Sequence, residues 1–173
     1  LLVDRSGEQG TVREVVAVDV EDGAEQVLYR EVDRDKGTLS RGVPTVSPNG
    51  DRIALTLPED NWEHIHVVDV GSGERTQLTE GAFEDKGVAA SRPRWLSDSE
   101  IVFASNRNDL GRRGIYAVGL DGKTRTLVDP EGTSVHPRPA ADGDRLAYVY
   151  SGRERSPELR LANLSSGETH RVT

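Results

Sequence analysis

Residues 42–56 read GVPTVSPNGDRIALT, which places a proline before a glycine turn and an alternating apolar run after that turn. Two further segments repeat this layout: SRPRWLSDSEIVFAS at residues 91–105 and VHPRPAADGDRLAYV at residues 135–149. In each segment the turn residue follows the proline by six positions: Pro44 and Gly50, Pro93 and Ser99, Pro137 and Gly143. An apolar residue at every second position over four to eight residues is typical of a half-buried β-strand. The chain therefore repeats a unit that contains strands.

A second apolar run follows in every unit, and a glycine-containing turn and a last short strand close it. These runs are IHVVDV at residues 65–70, IYAVGL at residues 115–120 and LRLANL at residues 159–164. The N-terminus carries the back half of another unit, with an apolar run at residues 15–20. Equivalent positions recur at spacings of 50, 50 and 44 residues: Val20, Val70, Leu120 and Leu164. Four short strands in a period of this length predict β-propeller blades and not a helical solenoid.

The predicted fold class is all-β, with β-propeller blades of four antiparallel strands in a partial propeller of about three and a half blades. We expect one domain over residues 1–173, with blade ends at 1–40 and blades at 41–87, 88–132 and 133–173. Closed propellers carry four to eight blades, and an open ring would leave exposed strand edges. The sequence contains no Met, even at position 1, which predicts a piece of a longer or processed product. We expect the remaining blades in the same full-length chain or in a second copy.

The composition excludes several classes of function. The 173 residues include 30 Asp and Glu against 22 Lys and Arg, which gives a formal net charge of −8. We expect no nucleic-acid partner, because sequence-independent binding needs a basic face that neutralises phosphates. We expect no membrane partner, because no apolar run is long enough to span a bilayer and none resembles a secretory signal. Cysteine is absent, which excludes disulfides, thiolate zinc sites and cysteine nucleophiles.

A specific resemblance is carried by the motifs VSPNGDRIAL at residues 46–55, IHVVDVGSGERTQLT at residues 65–79 and FASNRND at residues 103–109. These motifs are similar to the propeller repeats of prolyl oligopeptidase-family serine peptidases and of the Tol-system propeller family. The last blade resembles that of acylaminoacyl-peptidase-like members, in which Pro-Glu-Leu precedes the third strand, here at residues 157–159. The resemblance implies that a hydrolase domain follows the propeller and carries the catalytic Ser, Asp and His. It also implies that the propeller admits short peptides and excludes folded proteins.

No residue of this chain is predicted to be catalytic. A nucleophile elbow reads G-x-S-x-G between a strand and a helix, and the nearest string here is GTSVH at residues 132–136. Ser134, His136 and Asp142 supply the residue types of a triad. Neighbouring residues of a strand project to opposite faces, however, so we interpret this segment as a loop that leads into a strand.

Metal and cofactor sites are also not predicted. His64 and His66 lie two positions apart on a predicted strand and could share one face, next to Glu63 and Asp60. A closed zinc site needs four convergent groups, so we interpret both histidines as half-exposed strand residues. No glycine-rich phosphate-binding motif precedes a helix, and we expect no cofactor.

One group of residues is predicted to line the central channel, beside which the first strand of each blade runs. If Trp95 is a core residue that faces the neighbouring blade, Arg92 and Arg94 share the opposite face by the two-residue period. The matching positions of the next blade hold His136 and Arg138. Two interpretations stay open for these four residues. They form a cationic patch that steers peptide carboxylates or acidic side chains, or they form salt bridges to acidic residues between blades.

Two functions from different classes follow from the sequence. The first is a non-catalytic, substrate-gating propeller of a serine peptidase, expected in the cytoplasm, with peptides in its channel and a hydrolase domain as its partner. The second is a Tol-type binding scaffold outside the cytoplasm that holds protein partners on one face. A G-x-S-x-G motif downstream of Thr173 would favour the peptidase, and an upstream signal peptide without a hydrolase would favour the scaffold.

Overall fold

A computed structural model describes residues 1–7, 11–33, 42–88, 91–129 and 131–173. Over these residues the chain forms fifteen β-strands in four antiparallel sheets, with no helix. The predicted all-β fold, a partial propeller of about three and a half blades, is confirmed. The described residues thus contain no helix that is long and apolar enough to cross a membrane.

Each sheet consists of strands that follow one another in sequence. The first sheet contains β1 (Leu2–Gly7), β2 (Val12–Val18) and β3 (Glu25–Val32). The second contains β4 (Thr45–Val46), β5 (Arg52–Glu59), β6 (Trp62–Asp69) and β7 (Arg75–Gln77). The third contains β8 (Arg94–Ser97), β9 (Glu100–Ser105), β10 (Gly114–Gly119) and β11 (Thr124–Val128). The fourth contains β12 (Thr133–Pro139), β13 (Arg145–Gly152), β14 (Arg155–Asn163) and β15 (Thr169–Arg171).

The first sheet differs from its prediction. The sequence predicted only the back half of a unit at the N-terminus, but β1 adds a third strand that pairs antiparallel with β2 from Leu2 to Gly7. Four of its six residues are exposed, because β1 lies at the sheet edge. Its sequence, LVDRSG, therefore lacks the apolar alternation that reveals the other strands. The boundary predicted between residues 40 and 41 lies outside the described residues.

Three apolar cores hold the four sheets together. The first and second sheets pack through residues such as Val15 and Leu55. The second and third sheets share a core that includes Ile65 and Phe103. The third and fourth sheets meet through a core that includes Tyr148. Each sheet thus packs face to face with the next one in sequence, as blades do.

The strands were predicted to be half-buried, and this is wrong for the inner blades. All five residues from Ile53 to Leu57 are buried in β5, and all five from Ile101 to Ser105 are buried in β9. Sheets two and three each have a neighbouring sheet on both faces, so a residue on either face of these strands leaves the solvent.

The predicted hairpin turns are present at equivalent places in all four sheets. In the second sheet, the Gly73 amide donates to the Asp69 carbonyl at 2.8 Å, and the Asp69 amide donates to the Glu74 carbonyl at 2.9 Å. Gly73 has a φ of 74°, a left-handed conformation in which a Cβ atom is unfavourable. The corresponding positive-φ glycines of the other sheets are Gly23, Gly122 and Gly167. The repeat is therefore one of backbone conformation as well as of sequence.

Candidate functional site

The candidate site lies where the first strands of three neighbouring sheets run side by side. Strands β4, β8 and β12 each form one edge of their own four-stranded sheet. Strand β8 contacts β4 on one side and β12 on the other. In a propeller this row of edge strands surrounds the central channel.

Two arginines occupy this row in the third sheet. Pro93 and Trp95 are buried, and Trp95 belongs to the core between the second and third sheets, which confirms its predicted role. Its Nε1 donates a 2.8 Å hydrogen bond to the carbonyl of Thr45 and so fixes β8 against β4. Arg94 begins β8 and Arg92 lies in the chain that leads into it; both are half-buried.

His136 and Arg138 reach the same region from β12, but not by regular alternation. The pairing of β12 with β13 shifts between Val135 and Arg138. His136 lies in this irregularity with a φ of 55°, a conformation that is uncommon for residues other than glycine. Its backbone N–H donates to Ser91 Oγ at 3.2 Å, across to the residue that precedes Arg92. The bulge therefore ties β12 to the chain that leads into β8.

The charges of these side chains act on one another. Burial lowers the pKa of Arg94, and the positive charges of Arg138 and Arg92 lower it further. Burial and the charge of Arg138 lower the pKa of His136. The contact of β8 with β12, and the bond from His136 to Ser91, bring the chain that carries Arg92 and Arg94 beside the strand that carries Arg138. We call Arg92, Arg94 and Arg138 the arginine cluster.

The arginine cluster has no acidic partner among the described residues. Arginines elsewhere pair closely with carboxylates, as Arg13 does with Asp4 and Arg107 does with Asp85, both at 2.8 Å. Within the cluster, the Nε atoms of Arg92 and Arg94 are buried and make no hydrogen bond. Arg138 donates from Nη1 to the carbonyl of Pro137 at 3.3 Å. The alternative of salt bridges between blades thus has no support in the part of the chain that the structure describes.

A second polar group lies buried between the second and third sheets. His64 Nδ1 lies 3.1 Å from Asp85 Oδ2, and Arg107 donates to Asp85 Oδ1 at 2.8 Å. His64 Nε2 lies 3.1 Å from the carbonyl of Gly81. The Arg107 guanidinium also lies over the ring of Phe83, 4.8 Å from its centroid. This network holds the connection between β7 and β8 in place and explains the burial of the polar side chains of His64 and Asp85.

The two histidines of β6 are more buried than the sequence predicted. His64 is 2% exposed and His66 is 1% exposed, so the expectation of two half-exposed residues is wrong. Neither ring nitrogen of His66 has a hydrogen-bond partner, and burial lowers its pKa to about 4. No three His, Asp or Glu side chains converge as a metal site within the described ranges. No sequence signal marks Asp85, because it lies in the irregular connection between β7 and β8, which has neither a motif nor a period.

No hydrogen bond joins Ser134 Oγ to His136 or to Asp142. Ser134 is fully buried in β12, and its Oγ has no hydrogen-bond partner, so no base holds it. Asp142 lies in the next turn, where it accepts hydrogen bonds of 2.9 and 2.7 Å from Arg145. This geometry does not activate Ser134 as a nucleophile.

Sequence comparison identifies a matching family. The model of the dipeptidyl peptidase IV N-terminal region matches residues 3–157 of this chain. No curated protein matches the chain.

Solved structures share the fold at low sequence identity. TolB from Acinetobacter baumannii matches 95% of this chain with a TM-score of 0.70 and 18% identity, over 41% of its own length. Dipeptidyl peptidase 4 from Porphyromonas gingivalis matches 98% of the chain with a TM-score of 0.72 and 14% identity, over 24% of its length. Oligogalacturonate lyase from Vibrio parahaemolyticus matches 95% with a TM-score of 0.63 and 19% identity, over 50% of its length. The chain therefore spans half or less of each of these proteins.

Proposed function

Since this chain belongs to the family of dipeptidyl peptidase IV N-terminal regions, we propose that it is the non-catalytic propeller domain of a prolyl oligopeptidase-family serine peptidase. In this proposal the propeller gates the access of substrates, and a hydrolase domain of the same full-length chain performs catalysis. The family match over residues 3–157 is the observation that carries the proposal.

The geometry is compatible with a gate. Rows of edge strands surround the channel of a propeller, and in this chain they bring the arginine cluster to that region. Packing between sheets, the Trp95 hydrogen bond and the buried Asp85 network hold β8 in position. A rigid, narrow opening admits extended peptides and rejects folded domains, because only an unfolded chain is thin enough to enter.

The second candidate is a scaffold that binds other proteins on one propeller face. It is favoured by the similarity to TolB, which covers 95% of this chain with a TM-score of 0.70. Propellers host unrelated functions, so this shared fold does not separate the two candidates.

Substrate size separates them. We would purify the full-length gene product and measure the hydrolysis of a peptide of about ten residues, both free and inserted into a loop of a folded, disulfide-stapled carrier protein. A gated peptidase cleaves the free peptide and leaves the inserted copy intact until the carrier is reduced and unfolded. Hydrolysis of both copies at equal rates would contradict gating. No hydrolysis of either copy, together with stable capture of protein partners, would establish the scaffold instead.

A further inference from the structure

We propose that the arginine cluster is a carboxylate-binding site that selects acidic peptides in the channel. The peptide nature of the ligand rests on the proposed function, whereas the preference for carboxylates rests on the cluster itself. Arg92, Arg94 and Arg138 are its three residues.

The backbone presents the three side chains as one surface. Arg94 is the first residue of β8 and Arg92 lies two residues before it; both are half-buried, whereas Pro93 and Trp95 are buried. Burial of Pro93 and Trp95 on the other face prevents the strand from turning over. The bond from the His136 amide to Ser91 Oγ brings β12, and with it Arg138, to the same place. The chain segments that carry the three arginines are therefore held together from two sheets, with Arg92 and Arg94 half-buried and Arg138 exposed.

Hydrogen bonding at the cluster is incomplete. A guanidinium group has five N–H donors in a planar fork that matches a carboxylate. The Nε donors of Arg92 and Arg94 are buried without a partner, which costs free energy in the unliganded protein. A carboxylate would accept bidentate, charge-assisted hydrogen bonds from such a fork. Since the Nε atoms are closed off from solvent, an acidic ligand would meet the outer Nη donors of the same forks and would compensate the charge of the two half-buried guanidinium groups.

Electrostatics point to the same ligand. The whole chain carries a formal charge of −8, so three unpaired cations in one place contrast with the rest of its surface. Guanidinium groups near one another repel, and a carboxylate between them relieves that repulsion. Charges of one sign gathered on one surface raise the local concentration of counter-ions, which favours anionic groups over neutral ones.

Three peptides of equal length test the proposal and locate the carboxylate. One carries two Glu residues and an amidated C-terminus, the second is neutral with a free C-terminus, and the third is neutral and amidated. We would measure their binding to the full-length gene product by calorimetry at low and high salt, after treatment with a fluorophosphonate that blocks a reactive serine.

We expect the Glu peptide to bind at least about ten-fold more tightly than the neutral amide, and this advantage to shrink at high salt. Preferred binding of the free C-terminus over the Glu peptide would assign the site to terminal carboxylates.

The double variant Arg92→Gln with Arg138→Gln should abolish the ten-fold preference and leave binding of the neutral amide unchanged. The matched control is Arg145→Gln on β13, which removes an exposed arginine that pairs with Asp142. This control should retain the preference within about two-fold. A double variant that still prefers the Glu peptide by ten-fold would overturn the proposal.

Thermal unfolding separates a binding role from a structural one. Because the cluster has no acidic partner among the described residues, Arg92→Gln removes repulsion and should leave the Tm unchanged or raise it. A Tm lowered by several degrees, with the peptide preference intact, would assign Arg92 to structural support and overturn the proposal. Failure of fluorophosphonate to label the product would refute the peptidase but not the site, because peptide binding needs no catalysis.

Discussion

His66 shows how a buried residue without partners couples stability to pH. Its ring is 1% exposed, both of its nitrogens lack hydrogen bonds, and burial lowers its pKa to about 4 from 6.5. The folded state therefore keeps this ring neutral over a range in which the unfolded chain binds a proton. Stability is retained above pH 6.5 and is lost as the pH falls from 6.5 towards 4.

We predict that protonation of His66 in the unfolded chain lowers the unfolding free energy of the wild type by up to roughly 3 kcal/mol between pH 6.5 and pH 4. The non-titrating variant His66→Gln should lack this component, and other acid-sensitive groups cancel when the two proteins are compared. Urea unfolding at pH 7.5, 5.5 and 4.5 measures the difference. Parallel pH profiles for the two proteins would contradict the low pKa of His66.

Asp85 has a different role, since it is a buried carboxylate that two partners hold. We predict that Asp85→Asn lowers the free energy of unfolding by about 3 kcal/mol, because it leaves Arg107 and His64 without their shared anion. The matched control is Asp121→Asn, which breaks an exposed pair with Lys123 and should leave the unfolding midpoint unchanged. Equal midpoints for the two variants would refute the role of the buried network.

At the scale of elements, the clearest repeated feature is the turn that joins the last two strands of each sheet. Their register was predictable because it depends on local chemistry: a glycine at the positive-φ position and apolar residues at fixed distances from it. The bulge at His136 was not predictable, because it arises from the pairing of β12 with β13 and has no local signal. The same limit applies to the burial of β5 and β9, since a strand does not reveal what covers its second face.

We predict that Gly73→Ala costs about 1–2 kcal/mol of unfolding free energy, because the φ of 74° is unfavourable once a Cβ is present. No steric clash contributes, since the atom nearest to a Cβ there is 3.8 Å away. Gly73→Asn is the matched control and should cost less, because Asn tolerates this conformation. Thermal or urea unfolding of the two variants gives the comparison, and an Ala variant as stable as wild type would contradict it.

At the scale of the whole molecule, the four described sheets form a partial ring. The fourth sheet packs on the third with one face and exposes Leu159 and Leu161, 38% and 41% accessible, on β14. The sequence predicted the repeat, because the repeat depends on short periods. It did not predict the Asp85 network, which depends on how an irregular connection packs between two sheets. The whole molecule therefore adds contacts that no single repeat encodes.

The proposed function makes this chain the non-catalytic propeller of a serine peptidase. The most direct test is the intact mass of the native gene product before and after fluorophosphonate treatment, followed by peptide mapping of the modified residue. We predict a product several times longer than 173 residues, with one modified serine located after Thr173. An unmodified product that contains further propeller blades and a secretion signal would contradict the claim and favour the binding scaffold.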